Sequence, residues 1–203
     1  MKALPKNLLP LTVFAIAVTS LFSVQPAQAF TITLEQMGSN VVATGSGAFN
    51  TAGLTLLGIS SISSSSIVPN TGRIITGAAS SQVNAPVNVY TGITGPTNFG
   101  IGGPRLTSGT GDLVGIGGLS NNVYLPLAYV SGTALSDSAT YINATFASLG
   151  LTPGTYVWTW GDGPNQNFTL QIGPAGVPDG GSTVSLLGFA LLGLAAVRRK
   201  LSC

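Results

Sequence analysis

The sequence predicts an all-β fold, a single sandwich or jelly-roll-like domain of short antiparallel strands. Three observations carry that expectation. Short segments alternate apolar and polar residues with period two, turn residues separate most of them, and no amphipathic helix of useful length lies between them. The 28 Gly and 12 Pro among 203 residues supply the punctuation.

The segments 30–36, 41–49, 54–62, 73–76, 87–93, 113–116, 123–130, 141–146, 155–160 and 167–172 read as strands. Pro69-Asn70-Thr71-Gly72, Gly95-Pro96, Gly102-Gly103-Pro104, Pro153-Gly154 and Gly161-Asp162-Gly163-Pro164 read as turns. Spacings of eight to twelve residues suit a sandwich or jelly roll. The stretch 60–66 holds six Ser and one Ile, and the region 60–81 is poor in large apolar residues, so it reads as a mobile loop outside the sheet. A turn near 147–149 is the one helical segment expected inside the domain. The segments 155–160 and 167–172 are expected to pair as a closing hairpin.

The two ends differ in kind from this middle. Lys2 and Lys6 precede an apolar run over 8–24, which closes with Gln25-Pro26-Ala27-Gln28-Ala29. A charged start, a short apolar centre and small residues at Ala27 and Ala29 make 1–29 a secretory signal peptide, cut by signal peptidase between Ala29 and Phe30. At the other end Val177-Pro178-Asp179-Gly180-Gly181-Ser182 is followed by an apolar run over 183–197 and by Arg198-Arg199-Lys200. As a helix that run is about 22 Å long, short of the ~30 Å hydrocarbon core. The basic cluster acts as a membrane stop and stays cytoplasmic, which leaves 30–176 outside the cytoplasm. Motif, short helix and basic stop together form a tripartite sorting signal over 177–203; the alternative reading is a plain C-terminal membrane anchor over 183–197 that is never cut. Cys203 has no second Cys to pair with and lacks the spacing of a prenylation box.

Residues 177–200 resemble the C-terminal sorting region of bacterial PEP-CTERM proteins, and more closely the VPDSG-CTERM variant; Gly180 stands where the variant's name has Ser. The Leu-Thr-Pro-Gly-Thr-Tyr segment from Leu151, its Trp-Gly loop and the Phe-Thr-Leu strand from Phe168 also resemble the stretch found upstream of that signal. The resemblance implies processing at Val177, Pro178, Asp179, Gly180 and Gly181 by an exosortase-like membrane enzyme. It further implies a membrane-inserted intermediate, delivery to the cell envelope, surface or extracellular matrix, and an organism that makes exopolysaccharide or biofilm.

Only 6% of the chain is charged, against roughly 25% in an ordinary domain. Within 30–176 the charges are Glu35, Asp112, Asp137 and Asp162 against Arg73 and Arg105, with no Lys. Nucleic acid is thereby excluded as a partner, because displacing phosphate counterions needs clustered cations. The absence of His and the lone Cys argue against transition-metal sites and a Ser–His nucleophile. No catalytic residue, metal ligand or cofactor is assigned, and no enzyme activity is expected.

Tyr156, Trp158 and Trp160 fall on one face of a strand, which offers two readings. They form either the core face of that strand or an aromatic platform for stacking sugar rings, as in a secreted carbohydrate-binding module. Asp162 reads as a turn former, since Pro164 and Gln166 occupy positions a calcium loop would need. Gly100-Ile101-Gly102-Gly103-Pro104-Arg105 lacks the last Gly of a dinucleotide loop and reads as a turn. The sequons at Asn143 and Asn167 lie within expected strands.

Overall fold

The computed structural model describes residues 28–78 and 85–173. Residues 1–27 of the expected leader over 1–29, the sorting signal with its expected helix at 183–197, and Arg198, Arg199 and Lys200 lie outside the described residues. Among those described, no helix is long and apolar enough to cross a membrane.

Strands form two sheets, as the alternation predicts. The six-stranded sheet runs β12 (Gly154–Thr159), β13 (Asn167–Ile172), β1 (Phe30–Met37), β2 (Asn40–Gly47), β11 (Leu135–Tyr141), β8 (Gly109–Gly111). The seven-stranded sheet runs β3 (Thr55–Ile62), β6 (Ala85–Thr91), β10 (Asn122–Pro126), β9 (Val114–Gly117), β5 (Arg73–Thr76), β4 (Ser65–Val68), β7 (Arg105–Thr107). The described helical structure is a single 3-10 turn, Pro69–Thr71.

β1 lies inside the first sheet, and its alternation holds over its first five residues: Phe30, Ile32 and Leu34 are fully buried while Thr31 and Thr33 face outward. It turns into β2 through Gly38-Ser39, where Gly38 takes φ +62°. On its other side, against the expectation of antiparallel strands throughout, β1 pairs in parallel with β13, Phe30 against Phe168 and Leu34 against Ile172, since these two strands are joined by the whole intervening chain rather than by a hairpin. β13 forms the expected hairpin with β12. Aromatic rings fill the space beneath: Phe30 stacks on Phe49 at 5.1 Å and Phe168 at 6.1 Å, and Phe49 stacks on Trp160 at 5.8 Å.

The second sheet curls. β3 and β4 hold positions one and six in it, yet only Ser63 and Ser64 separate them. Three residue steps reach at most about 11 Å, whereas five flat strand spacings would need about 24 Å. The curl encloses a second, smaller core of Ile62, Ile75, Val87, Val89 and Leu113, distinct from the aromatic core between the sheets.

Other expectations are corrected. The region 60–81 is not a loop through its described part: it completes β3 and supplies β4 and β5, with all four residues of β4 buried. Serine fits there because the strand lies against neighbouring backbone; Ser65 Oγ donates to the Gly77 carbonyl at 2.8 Å. The strand expected over 141–146 lies earlier, at Leu135–Tyr141, and Asn143 occupies a turn at φ +50°. The strand expected over 123–130 ends at Pro126, where the missing N–H stops the ladder. The short strands β7 and β8 carry no alternation long enough to announce them. The helical segment expected near 147–149 is a hydrogen-bonded turn, with Leu149 N–H donating to the Thr145 carbonyl, and the described helical residues lie instead at Pro69–Thr71.

Phe30→Ala is expected to lower stability to urea by about 3–5 kcal/mol, because it empties a site walled by other rings. Met37→Ala, at 58% exposure on the same strand, should stay within about 0.5 kcal/mol of the parent.

Candidate functional site

Tyr156, Trp158 and Trp160 share a face as expected, and that face is turned inward. Trp158 is fully buried and Trp160 is 8% exposed. Their indole N–H groups donate to the carbonyls of Pro96 at 2.8 Å and Asn50 at 2.7 Å, so the polar handle of each ring is held by backbone. Trp158 also lies over Gly95, where a Cβ would come within 2.6 Å of its ring. Tyr156 is half-buried, its hydroxyl donating to the Thr152 carbonyl at 2.9 Å and its ring meeting Phe99 edge-on at 5.9 Å. The face that β12 leaves outward is Thr155, Val157 and Thr159. The stacking platform for sugars is thus corrected to a core face, because rings this large gain more from burial than from water.

The acids separate into three environments. Asp162 sits in a bend organised by Gln166, whose Oε1 accepts from Gly163 N–H at 2.6 Å and whose amide donates to the Ala52 carbonyl at 2.6 Å. Asp112 clamps Ser136: its N–H donates to the Ser136 carbonyl and its Oδ2 accepts from the Ser136 N–H, both at 2.8 Å. Asp137, on β11, is 6% exposed, and no hydrogen bond of good geometry reaches either carboxyl oxygen. Its register neighbours are Gly45 and Gly111. A Cβ at Gly45 would lie 2.5 Å from Oδ1 and 2.8 Å from Oδ2, so glycine is what admits the carboxyl there.

Burial raises the Asp137 carboxyl to about 7; the hydroxyl of Thr76 on the facing β5 opposes the rise and the charge of Asp112 adds to it. Nothing in the local sequence marks Asp137, which stands between Ser136 and Ser138. The Gly45 and Gly111 that flank it are distant in the chain and become neighbours only through β2 and β8.

The Gly100–Arg105 segment serves packing. Side chains at Gly100 and Gly102 would run into the carbonyls of Gly150 and Leu149, and the chain continues into β7 rather than a helix. The other sequon residue, Asn167, opens β13 as expected. Arg73, unremarked in the sequence, lines a cavity of about 280 Å³ with Thr71, Gly117, Leu119 and Ser120. The residues expected to be processed divide: Ala29 and Phe30 belong to the sheet, while Ala27 and Val177, Pro178, Asp179, Gly180 and Gly181 lie outside the described residues. Ala29 bridges Ala48, whose N–H donates to the Gln28 carbonyl at 2.8 Å.

A family model described as the VPDSG-CTERM motif matches residues 176–201. The C-terminus carries a PEP-CTERM-like sorting signal. The VPDSG-CTERM match begins three residues after Gly173, whose N–H donates to the Leu34 carbonyl at 3.0 Å at the end of the sheet. No curated protein and no solved structure matches the chain.

Two outcomes test these placements. Tryptophan emission should be blue-shifted and unmoved by added polysaccharide; a shift on addition would return the rings to the surface. Because the folded carboxyl of Asp137 binds its proton more tightly than the open chain does, its contribution to stability is fully present below about pH 4. It is lost as pH rises to about 7, a fall on the order of 4 kcal/mol. Asp137→Asn should flatten that slope in urea titrations across pH 4–8, and an unchanged slope would assign it to another group.

Proposed function

We propose that this chain is an exported, non-enzymatic β domain, sorted through a PEP-CTERM/exosortase-like system to the cell surface or extracellular matrix. There it serves a structural or adhesive role in an exopolysaccharide or biofilm setting. The observation that carries the reading is the VPDSG-CTERM match close behind the last strand of the domain. It supports processing by a membrane sorting enzyme and export toward the surface. The leader-like features of 1–29 support the same route.

The domain's side chains favour a cargo over a catalyst. Asp112 spends its carboxylate on Ser136, and Asp137 is sealed between strands, so this neighbouring pair offers no open acid–base couple.

On this reading removal of the leader precedes folding. A peptidase draws its substrate out as an unpaired strand, and here Ala29 is bridged to Ala48 while Phe30 is fully buried against Phe49 and Phe168.

Intact-mass and terminal-peptide mapping of the protein from its host, with and without the candidate exosortase gene, tests the route. The expected mature form starts at Phe30, ends within residues 177–181 and requires the enzyme. Retention of residues 198–203 in both strains would overturn processing.

A further inference from the structure

We infer that the cavity beside Arg73 binds a carboxylate carried on a small organic molecule. Arg73 lies on β5 two residues before Ile75, on the side of the curled sheet that holds the second core, and it opposes Gly117 of β9 and Val68 of β4. Its Nε is buried and has no hydrogen-bond partner. Folded proteins leave few such donors unpaired, and one belonging to a permanent cation is the costliest kind to leave so.

The surroundings are built to receive a partner rather than to provide one. At Gly117 a Cβ would come within 2.5 Å of Ser120 Oγ and 3.7 Å of the Tyr124 hydroxyl, so glycine keeps the floor open. Ser120 Oγ and Thr71 Oγ1 donate to the Gly117 and Val68 carbonyls at 3.2 Å each, long bonds that leave both oxygens able to accept from a ligand's hydroxyls. Leu119, 63% exposed, forms an apolar lip. Gly118 N–H to the Gly72 carbonyl at 2.9 Å and Leu119 N–H to the Thr71 carbonyl at 3.0 Å tie the two walls together, so the cavity is formed before anything enters.

The chemistry narrows the occupant. A guanidinium presents a planar fork that matches a carboxylate bidentately. The other arginine of the domain, Arg105 on β7, opposes Ile67 of β4, one register step from Val68 and therefore on the opposite face of the sheet from Arg73. With a single cation at hand, a singly charged carboxylate is a better match than a dianionic phosphate. A volume of about 280 Å³ lies at the lower edge of the range for ligand pockets, which suits one ring or a short chain.

Isothermal titration of the full chain with glucuronate, neutral glucose and inorganic phosphate tests the assignment independently of export or processing. Glucuronate is expected to bind and glucose to give no heat. Arg73→Gln should weaken glucuronate by at least about tenfold while leaving tryptophan emission unchanged. Leu119→Asp, an exposed change at the lip that does not depend on the core, should also weaken it. Equal affinity in Arg73→Gln, equal binding of glucose, or binding of phosphate without glucuronate would each overturn the proposal.

Discussion

The parallel pairing of β1 with β13 is the contact on which the rest of the domain depends. It joins the first described strand to the last, and it brings Phe30 and Phe168 side by side so that Phe49, Trp158 and Trp160 can close around them. Parallel neighbours cannot arise from a hairpin; the whole intervening chain is the crossover. The aromatic core is therefore assembled from the most distant parts of the sequence, at a high loop-closure cost in chain entropy. Without β13, β1 would expose its other edge and Phe30 would lose one wall. The domain has no disulfide to compensate, since the chain's single Cys lies at its far end.

A second constraint follows from the kink at Ser63-Ser64. By sending one nearly continuous stretch of chain first along β6 and then between β5 and β7, it forces the second sheet to curl. Where the curled sheet meets the flatter one, backbones approach too closely for side chains. A Cβ at Gly77 would strike the Asp112 carbonyl, and one at Gly109 would strike the carbonyls of Gly77 and Ser138. This contact layer requires glycine at Gly77 and Gly109, and it is also where Asp137 lies. A carboxyl in so dry a layer is a poor contributor to stability at neutral pH. Thr76 and Asp112 are the polar groups that act on it, and neither supplies a cation.

What could be read in advance tracks with the range of the interactions. β1, β12 and β13 were legible because large residues at period two announce a buried face, and the hairpin between β12 and β13 is local. The same pattern placed Tyr156, Trp158 and Trp160 on one face, but whether that face met water depended on Pro96 and Asn50, dozens of residues away. The strand β4 escaped because Ser65 and Ser66 look like a loop; for Ser65 it is the distant Gly77 carbonyl that accepts its buried hydroxyl. β11 was misplaced because its Ser-Asp-Ser centre hides the period; the burial of Asp137 reverses the sign that alternation normally carries. Arg73 gave no signal at all, since a lone arginine in a short strand reads as a solvated side chain until Gly117 is brought opposite it.

The same β1–β13 pairing also fixes how the ends leave the domain. Because the two strands run parallel, Phe30 lies beside Phe168 at one pole while Ile172 lies beside Leu34 at the other. The leader-like segment therefore joins the domain at the pole opposite the one that carries the sorting signal, four residue steps or about 13 Å along the strands. At the second pole three residue steps, at most about 11 Å, separate Gly173 from the start of the VPDSG-CTERM match. An enzyme that acts at the motif must therefore work close against the end of β13. Prying that end loose would strip β1 of its partner, so the hydrogen bonds that close the domain, down to Gly173 with Leu34, oppose any slack drawn from it. Any slack at the motif must come instead from the residues beyond Gly173, which is a constraint on the linker rather than on the sandwich.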